Sequence, residues 1–252
     1  MTSAHFTKFY ETPDQVSAAV RHHWWLTEHA HPLRLPTFVV IGHASLTYQW
    51  VEGRPVQPED LTALATLLGH AHGCAWASDL QAADLARPHR FQDGTAFADY
   101  LGPRRVALQR RLEQGYLPNK AALHAVLTLL EKTAEGPVSF YKDSNPRNFL
   151  ITPAGAVVTV DTDDLTLAPM AYDLAKLIAT LLLTYGSLPD DAIGTALSAY
   201  NEAAGHHDIR LGATDRPRLD DFLALHAVLT APYIGRNGYS YGWPPAYPRL
   251  RG

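Results

Sequence analysis

SFYKDSNPRNFLITPAGAVVTVDTDDLTLAPMAYDLAKL, residues 139–177, is the stretch of sequence that decides the fold. Short apolar runs alternate in it with polar clusters. Asp143 and Asn148 lie in the first cluster, and Asp161 lies in the second. The residues around these three side chains indicate how the chain positions them.

The apolar runs are short, and they predict strands at 138–141, 149–152 and 156–160. Residues 144–146, Ser-Asn-Pro, predict a loop, because a residue before proline is biased away from helix. Residues 153–155, Pro-Ala-Gly, predict the turn of a hairpin between the second and third strands. Asp143 and Asn148 then flank one loop and Asp161 ends the hairpin, so we expect the three side chains to converge.

The convergence of carboxylate and amide oxygens indicates a particular chemistry. An oxygen-only set of ligands suits a hard cation such as Mg²⁺, which keeps several waters and is shared with substrate phosphates. A carboxylate that stays off the metal is able to accept a proton from an attacking hydroxyl. The sequence therefore predicts phosphoryl-transfer chemistry at this point of the chain.

The composition is that of a globular protein. The 252 residues, of which 46% are hydrophobic and 18% charged, suffice for a sizeable core in one large domain or two unequal lobes. A formal net charge of −4 and a pI near 6.3 provide no overall attraction to nucleic acid or to an acidic membrane surface. Any anionic ligand must therefore be held by local groups.

Several features favour a cytoplasmic protein without a membrane partner. Cys74 is the only cysteine, so no internal disulfide is possible and a reducing compartment is expected. The first thirty residues lack the pattern of an export signal. The longest apolar run, residues 177–183, is far shorter than the roughly 20 residues that a membrane span needs.

The chain changes character where its third predicted strand ends. Aromatic and β-branched runs in the first part predict strands at 6–10, 37–43 and 45–51. Thr12, Pro13 and Gln15 provide the cap, the first helical residue and the capping box of a helix between the first two strands. The second part has apolar residues at helical spacing, which predicts helices at about 58–73, 94–112, 119–134, 171–185, 189–204 and 217–230. We therefore expect an α+β protein with a small β-rich lobe, residues 1–53, and a large helical lobe, residues 54–252.

The central stretch carries a family resemblance. Residues 141–150, YKDSNPRNFL, followed by Asp161, resemble the H-G-D-x-x-x-x-N-x-L pattern and the metal-binding aspartate of the aminoglycoside phosphotransferase and choline kinase-like family. Residues 171–175, AYDLA, resemble a further segment of the same family. This family shares the protein-kinase fold, so the resemblance implies a bilobal kinase-like architecture.

The resemblance also implies roles for individual residues. Asp143 is expected to be the catalytic base, and Asn148 and Asp161 are expected to hold Mg²⁺. Asp173 is expected to support the catalytic loop from a buried helix. Asp164 matches a second acidic position of the family, and its role is left open.

The small lobe resembles the family less closely. Lys8 resembles the strand lysine that pairs with the α- and β-phosphates of ATP, and Gln49-Trp50-Val51 resembles the hinge against which adenine stacks. Seven residues precede Lys8, too few for the two strands and glycine-rich loop that usually cover the phosphates. Ala19 stands at the position aligned with the helix glutamate that pairs with the lysine. An ordinary surface role for Lys8 therefore remains an alternative.

Two further cations depart from the family pattern. Lys142 and Arg147 stand where the family has glycines, and they are expected either to contact phosphate or to pair with Asp163 or Asp164. The aromatic segment 233–252 is expected to pack along the large lobe, with a role in an acceptor cleft or in binding a partner as the alternatives.

These observations predict a phosphotransferase that acts on a hydroxyl group and uses ATP, or another nucleoside triphosphate, with Mg²⁺. The resemblance implies an acceptor such as an aminoglycoside, an amino alcohol, a sugar or another natural product. A peptide Ser or Thr in ribosomal-peptide biosynthesis is a second possibility, in which a partner enzyme covers the open phosphate site. The competing hypothesis is a pseudokinase, a scaffold that acts through protein contacts.

Overall fold

The small lobe is built on an antiparallel sheet. In the computed structural model, which describes residues 4–247, this sheet consists of β1 (His5–Phe9), β2 (Phe38–Ile41) and β3 (Ser45–Gln49) in the order β1-β3-β2. Lys8 on β1 lies opposite Leu46 on β3. The predicted strands of this lobe are therefore confirmed, with bounds shifted by one to two residues.

Helix α1 (Pro13–His29) follows β1 and begins as the sequence predicts. The Thr12 side chain accepts a hydrogen bond from Gln15 N, and the Gln15 side chain accepts one from Thr12 N, so the capping box is formed. The buried face of α1 carries Val16 and Ala19, which pack against Leu46 and Tyr48 in a small core separate from the main one.

The large lobe is mainly helical. Its helices are α2 (Leu61–Ala75), α3 (Leu101–Glu113), α4 (Lys120–Thr133), α5 (Tyr172–Tyr185), α6 (Ala192–Gly205) and α7 (Arg216–Thr230). Helix α5 lies at the centre of the main core, and its residues from Tyr172 to Leu183 are all buried. This explains why the AYDLA segment and the apolar residues after it read as a buried helix.

Short strands connect and support these helices. They are β4 (Arg54–Pro55), β5 (His89–Arg90), β6 (Ala96–Phe97), β7 (Val138–Tyr141), β8 (Phe149–Ile151), β9 (Val157–Thr159) and β10 (Thr166–Pro169). Strand β7 pairs with β10, and β8 pairs with β9 through the predicted turn and with β4 on its other edge. The hairpin brings the end of β9 back beside the loop that follows β7.

One predicted helix begins in the wrong place. The sequence predicts a helix over 94–112, but α3 begins at Leu101. The Asp93 side chain accepts hydrogen bonds from Thr95 N and Thr95 Oγ1 at 2.8 and 2.7 Å, and this turn joins β5 to β6. Local side-chain hydrogen bonds of this kind compete with helix formation.

The predicted α+β class is confirmed. The boundary between residues 53 and 54 stays a prediction, because α1 contributes Trp25 and Leu26 to the main core as well as Val16 and Ala19 to the small one. Among the described residues, no helix is long and apolar enough to cross a membrane.

Candidate active site

The two aspartates that the sequence singles out have an unusual backbone conformation. Asp143 follows β7 with φ 59°, and Asp161 follows β9 with φ 58°. Few residues other than glycine adopt this left-handed region, and such residues are concentrated at functional sites. Each strand therefore ends in a sharp turn that directs one carboxylate away from the strand.

Asp173 holds the loop after β7 from beneath. It lies in the first turn of α5 and is fully buried. Its Oδ1 accepts a hydrogen bond from Ser144 N at 2.8 Å, and its Oδ2 accepts one from Lys142 N at 3.3 Å. Burial raises the pKa of Asp173. Lys142 and these backbone donors lower the same pKa, but they do not offset the effect of burial.

The three oxygen-bearing side chains meet at one cavity. Asn148 Nδ2 donates a hydrogen bond to Asp143 O at 2.9 Å, and Val160 N, next to Asp161, donates one to Asn148 O at 2.9 Å. Asp143, Asn148 and Asp161 all line a cavity of about 530 Å³. The amide nitrogen of Asn148 is thus engaged with the loop, which leaves its oxygen as the group available to a ligand.

Asp143 is held by two neighbours. Lys176 Nζ from α5 lies 2.9 Å from Asp143 Oδ1, and the Tyr141 hydroxyl donates to the same oxygen at 2.8 Å. Burial alone would raise the pKa of Asp143, but Lys176 and then Tyr141 outweigh it and lower the pKa from 3.8 to about 2. Asp143 is therefore ionised at neutral pH.

Replacing Lys176 tests this ion pair. In Lys176→Met the burial of Asp143 is no longer offset, so the pKa of Asp143 is expected to rise from about 2 to 3.8 or above. A carboxyl group whose pKa is lowered by folding stabilises the folded state only at a pH where the group is ionised. In the wild-type protein this stabilisation is lost as pH falls from about 4 to 2, and in Lys176→Met it is absent at every pH. Carboxyl NMR titration of both proteins measures the shift. Lys176→Arg, which keeps the charge, is the control, and an unchanged titration in Lys176→Met contradicts the assignment.

Lys8 has acidic partners that the sequence did not reveal. Its Nζ lies 2.5 Å from Asp161 Oδ1 and 2.5 Å from Asp163 Oδ2, and the Tyr10 hydroxyl donates to Asp163 Oδ2 at 2.8 Å. Partial burial would lower the pKa of Lys8, but the hydrogen bonds to Asp161 and Asp163 outweigh it and raise the pKa. Asp163 thus supplies the carboxylate that α1 lacks at Ala19.

Asp163→Asn tests whether this carboxylate positions Lys8. We expect the variant to bind ATP about tenfold more weakly, because Lys8 loses one of the two groups that fix its position. Calorimetric titration with ATP and Mg²⁺ measures the change. Asp164→Asn is a matched control, since Asp164 is exposed one residue further on. Equal affinities in the two variants contradict a special role for Asp163.

Lys142, for which the sequence predicts a phosphate contact, lies away from the cavity in this structure. Lys142 is buried, its Nζ lies 4.1 Å from the centre of the Phe149 ring, and it does not line the cavity. It forms no ion pair with Asp163 or Asp164 either, and burial lowers its pKa. The reason is the alternation of side chains at the end of β7: where Asp143 faces the cavity, Lys142 before it faces the core.

Arg147 is placed differently from Lys142. It is exposed, it lines the cavity, and its guanidinium lies 5.0 Å from the centre of the Tyr239 ring. Tyr239 belongs to the aromatic C-terminal segment, which therefore contributes to the cavity wall, and a role of this segment in an acceptor cleft stays a prediction. Arg249 and Arg251 of the same segment lie outside the described residues.

The predicted hinge lies away from this cavity. Gln49 N donates to Thr37 O at 2.9 Å, and Trp50 N donates to Ala4 O at 3.0 Å. The Trp50 side chain is 55% exposed, and neither Trp50 nor Val51 lines the cavity. The lining residues of the cavity come instead from the part of the chain between Pro103 and Tyr239.

The far wall of the cavity was not predicted from the sequence. Helices α3 and α7, the start of α5 and the segment after α7 form it, with side chains that include Arg104, Arg111, Tyr172, His226 and Tyr233. The two arginines are seven residues apart, which places them on one face of α3, and this spacing is what the sequence offers as an indication of the wall. It is weak without the structure, because exposed arginines also fit this helical pattern.

Comparisons with known proteins identify the family and the fold. The model of the phosphotransferase enzyme family, APH, matches residues 13–221. No curated protein sequence matches the chain. Among solved structures, the fold is similar to macrolide 2'-phosphotransferase MphH from Brachybacterium faecium, with 17% identity and a TM-score of 0.55 over 94% of this chain and 81% of that one.

Two further solved structures show the same fold. Choline kinase LicA from Streptococcus pneumoniae is 14% identical, with a TM-score of 0.56 over 96% of this chain and 82% of that one. Ethanolamine kinase from Plasmodium vivax is 9% identical, with a TM-score of 0.62 over 95% of this chain and 72% of that one. The predicted kinase-like fold and family resemblance are confirmed. The chain belongs to the phosphotransferase enzyme family and is a phosphotransferase that acts on a hydroxyl acceptor.

Proposed function

We propose that the protein transfers the γ-phosphoryl group of ATP to a hydroxyl group of a small molecule bound in the cavity. The observation that carries this proposal is the meeting of Asp143, Asn148 and Asp161 at one cavity wall. A carboxylate held beside two further oxygen ligands is the arrangement that phosphoryl transfer requires.

Asp143 is proposed as the base. As the acceptor oxygen forms its bond to the γ-phosphorus, the bond from that phosphorus to ADP breaks and the hydroxyl proton passes to Asp143. The low pKa that Lys176 imposes makes Asp143 a weak base. That suits a loose transition state in which the acceptor needs little deprotonation before attack, so the main task of Asp143 is to orient the hydroxyl.

Asn148 and Asp161 fit a divalent cation. Their oxygens are hard ligands on the same cavity wall, and Mg²⁺ accepts one or two such protein ligands when phosphate and water supply the rest. Among residues 4–247, no three His, Cys, Asp or Glu side chains are grouped as a metal site, which agrees with a cation shared with substrate. When bound, the ion would neutralise charge on the transferring phosphates.

The other predicted contacts to nucleotide divide into two groups. Lys8 is proposed to steady the phosphates, since it already contacts Asp161. Arg147, at the cavity wall, is proposed to add positive charge beside the transferring group. Gln49, Trp50 and Val51 are proposed to receive the adenine.

The size of the cavity supports a small acceptor. A volume of about 530 Å³ lies in the usual range of roughly 300–1,000 Å³ for small-molecule sites. The solved structures of similar fold include kinases whose names specify macrolide, choline, ethanolamine and amicoumacin acceptors. We therefore favour a small hydroxyl compound over a peptide Ser or Thr.

The proposal is tested with ATP, Mg²⁺ and a panel of small alcohols, amino alcohols, sugars and aminoglycosides. Product formation is detected by mass spectrometry as the addition of a phosphate group. We expect at least one small acceptor to be phosphorylated. A thermal-shift titration runs alongside, because a ligand selective for the folded state must raise its stability. If millimolar ATP with Mg²⁺ produces neither stabilisation nor product, the pseudokinase hypothesis is favoured instead.

A further inference from the structure

Two buried arginines form the wall of the cavity across from the predicted metal site. Arg104 and Arg111 lie on α3 and are only 6% and 8% exposed. They are seven residues apart, which places them on one helix face about 10 Å apart along its axis. Both side chains line the cavity that contains Asp143.

Neither guanidinium has a carboxylate partner among the described residues. Arg104 donates to Tyr100 O at 2.8 Å and to Thr166 Oγ1 at 3.4 Å. Arg111 donates to Leu229 O at 2.9 and 3.2 Å and to Gln114 Oε1 at 3.1 Å. These acceptors are all neutral, so two positive charges are buried at the cavity without an ionic partner, which is costly unless a ligand supplies the negative charge.

Aromatic rings offset part of the cost of burying the positive charge of Arg104. Its guanidinium lies 4.4, 4.9 and 4.6 Å from the ring centres of Tyr100, Tyr141 and Tyr172. Contacts with ring faces stabilise a cation, but they leave its charge in place. The guanidinium therefore stays charged beside the cavity, and its planar set of N–H donors is the kind that binds a carboxylate or a phosphate bidentately.

Cationic side chains outnumber carboxylates in the lining of the cavity. Arg104, Arg111, Arg147 and Lys176 line it, against the two carboxylates Asp143 and Asp161. Asp143 is paired with Lys176, and Asp161 is paired with Lys8. The α3 wall of the cavity offers no carboxylate to hold a cationic acceptor.

Tyr141 contacts both Asp143 and Arg104. The Tyr141 hydroxyl donates to Asp143 Oδ1, and the Arg104 guanidinium lies over the ring of the same residue. A ligand that places its hydroxyl at Asp143 therefore lies beside the side chain that Arg104 contacts.

We propose that the acceptor is an alcohol that carries an anionic group, a carboxylate or a phosphate monoester, which Arg104 and Arg111 bind while the hydroxyl faces Asp143. The inference rests on the proposed function for the position of the hydroxyl. The recognition of the anion stands on the buried arginines alone.

The test uses probes that share one ring and one hydroxymethyl group and differ in charge. They are 4-(hydroxymethyl)benzoate, 4-(hydroxymethyl)benzamide, 4-(aminomethyl)benzyl alcohol and 4-(hydroxymethyl)phenyl phosphate. Calorimetric titration without ATP measures their binding to the wild-type protein. We expect an anionic probe to bind at least about tenfold more tightly than the amide, and the amine to bind most weakly. The comparison of the carboxylate with the phosphate identifies the preferred anion.

Variants of the two arginines test whether these residues cause the preference for an anionic probe. In Arg104→Gln and in Arg111→Gln the advantage of the anionic probe over the amide is expected to fall to about threefold or less. Arg105→Gln is the control: it removes one positive charge from the same helix, but Arg105 faces solvent, where it pairs with Glu131 at 3.0 Å. If Arg104→Gln does not fold, Arg104→Lys, which keeps the charge, takes its place. The comparison of the probes on the wild-type protein does not depend on any variant.

The outcomes separate this inference from the proposed function. Equal affinity for all probes, undetectable binding of every probe at millimolar concentration, tighter binding of the amine, or a preference for anions that survives in both glutamine variants overturns the inference. Preferred binding of an anion without phosphoryl transfer from ATP supports the anion site and contradicts the proposed function. Transfer to the amine in preference to the acid overturns the anion site and leaves the proposed function standing.

Discussion

Asp143→Asn is expected to reduce phosphoryl transfer by about 10²- to 10⁴-fold, the usual contribution of a positioned general base. The amide is close in shape to the carboxylate, but it does not accept the acceptor's proton and has no charge to pair with Lys176. Affinity for ATP and Mg²⁺ is expected to stay within about threefold of wild type, because the proposed metal ligands are unchanged. Product formation under saturating ATP measures the loss of turnover.

Two controls make the result for Asp143→Asn specific. The unfolding midpoint of the variant shows whether the loop remains folded. Asp190→Asn removes an exposed carboxylate from the same lobe and is expected to have wild-type turnover. Wild-type turnover in Asp143→Asn removes the proposed base, whatever else the site does.

Asp161→Asn is expected to abolish the dependence of nucleotide binding on Mg²⁺. The wild-type protein is expected to bind ATP at least about 100-fold more tightly with Mg²⁺ than without it, since an ion held by two protein ligands also binds the phosphates. In the variant the two affinities are expected to become nearly equal. Calorimetric titrations with and without Mg²⁺ measure both affinities for each protein.

Asp163→Asn is the matched control for Asp161→Asn. Both carboxylates contact Lys8, but Asp163 does not line the cavity. Asp163→Asn is therefore expected to weaken ATP binding and to keep its dependence on Mg²⁺. If Asp161→Asn keeps that dependence as well, the cation is bound elsewhere.

The central loop and hairpin could be predicted from the sequence because their determinants are local. The turn at 153–155 fixes the pairing of β8 with β9, and this pairing returns Asp161 to the loop that contains Asn148. The role of Asp173 came from the family resemblance and not from its spacing. Its contacts with the backbone of Ser144 and Lys142 depend on where α5 packs.

The charge pairs of the site could not be predicted, because they join distant elements. Lys8 meets Asp161 and Asp163 across 153 and 155 positions of sequence, which depends on how β1 approaches the hairpin. Lys176 reaches Asp143 because Asp173, one turn earlier on α5, fixes that helix beneath the loop. Neither the contacts of Lys8 nor the contact of Lys176 can be derived from the spacing of these residues in the sequence.

The direction of the Lys142 side chain could not be predicted for a different reason. Its neighbour Asp143 belongs to the site, and a lysine beside a base suggests a phosphate contact. Which side of the chain each residue faces is decided by the exact end of β7, and a shift of one residue exchanges the cavity for the core. The acceptor wall is a similar case, because Arg104 and Arg111 become a site only where α3 packs beside α7.

The most direct measurement is a crystal structure of the protein with Mg²⁺ and a non-hydrolysable analogue of ATP. We expect a cation about 2.1 Å from an oxygen of Asn148 and from an oxygen of Asp161. We also expect the γ-phosphate within the cavity, between Asp143 and Lys8. A nucleotide bound away from these residues, or a cation that touches neither Asn148 nor Asp161, would contradict the proposed function.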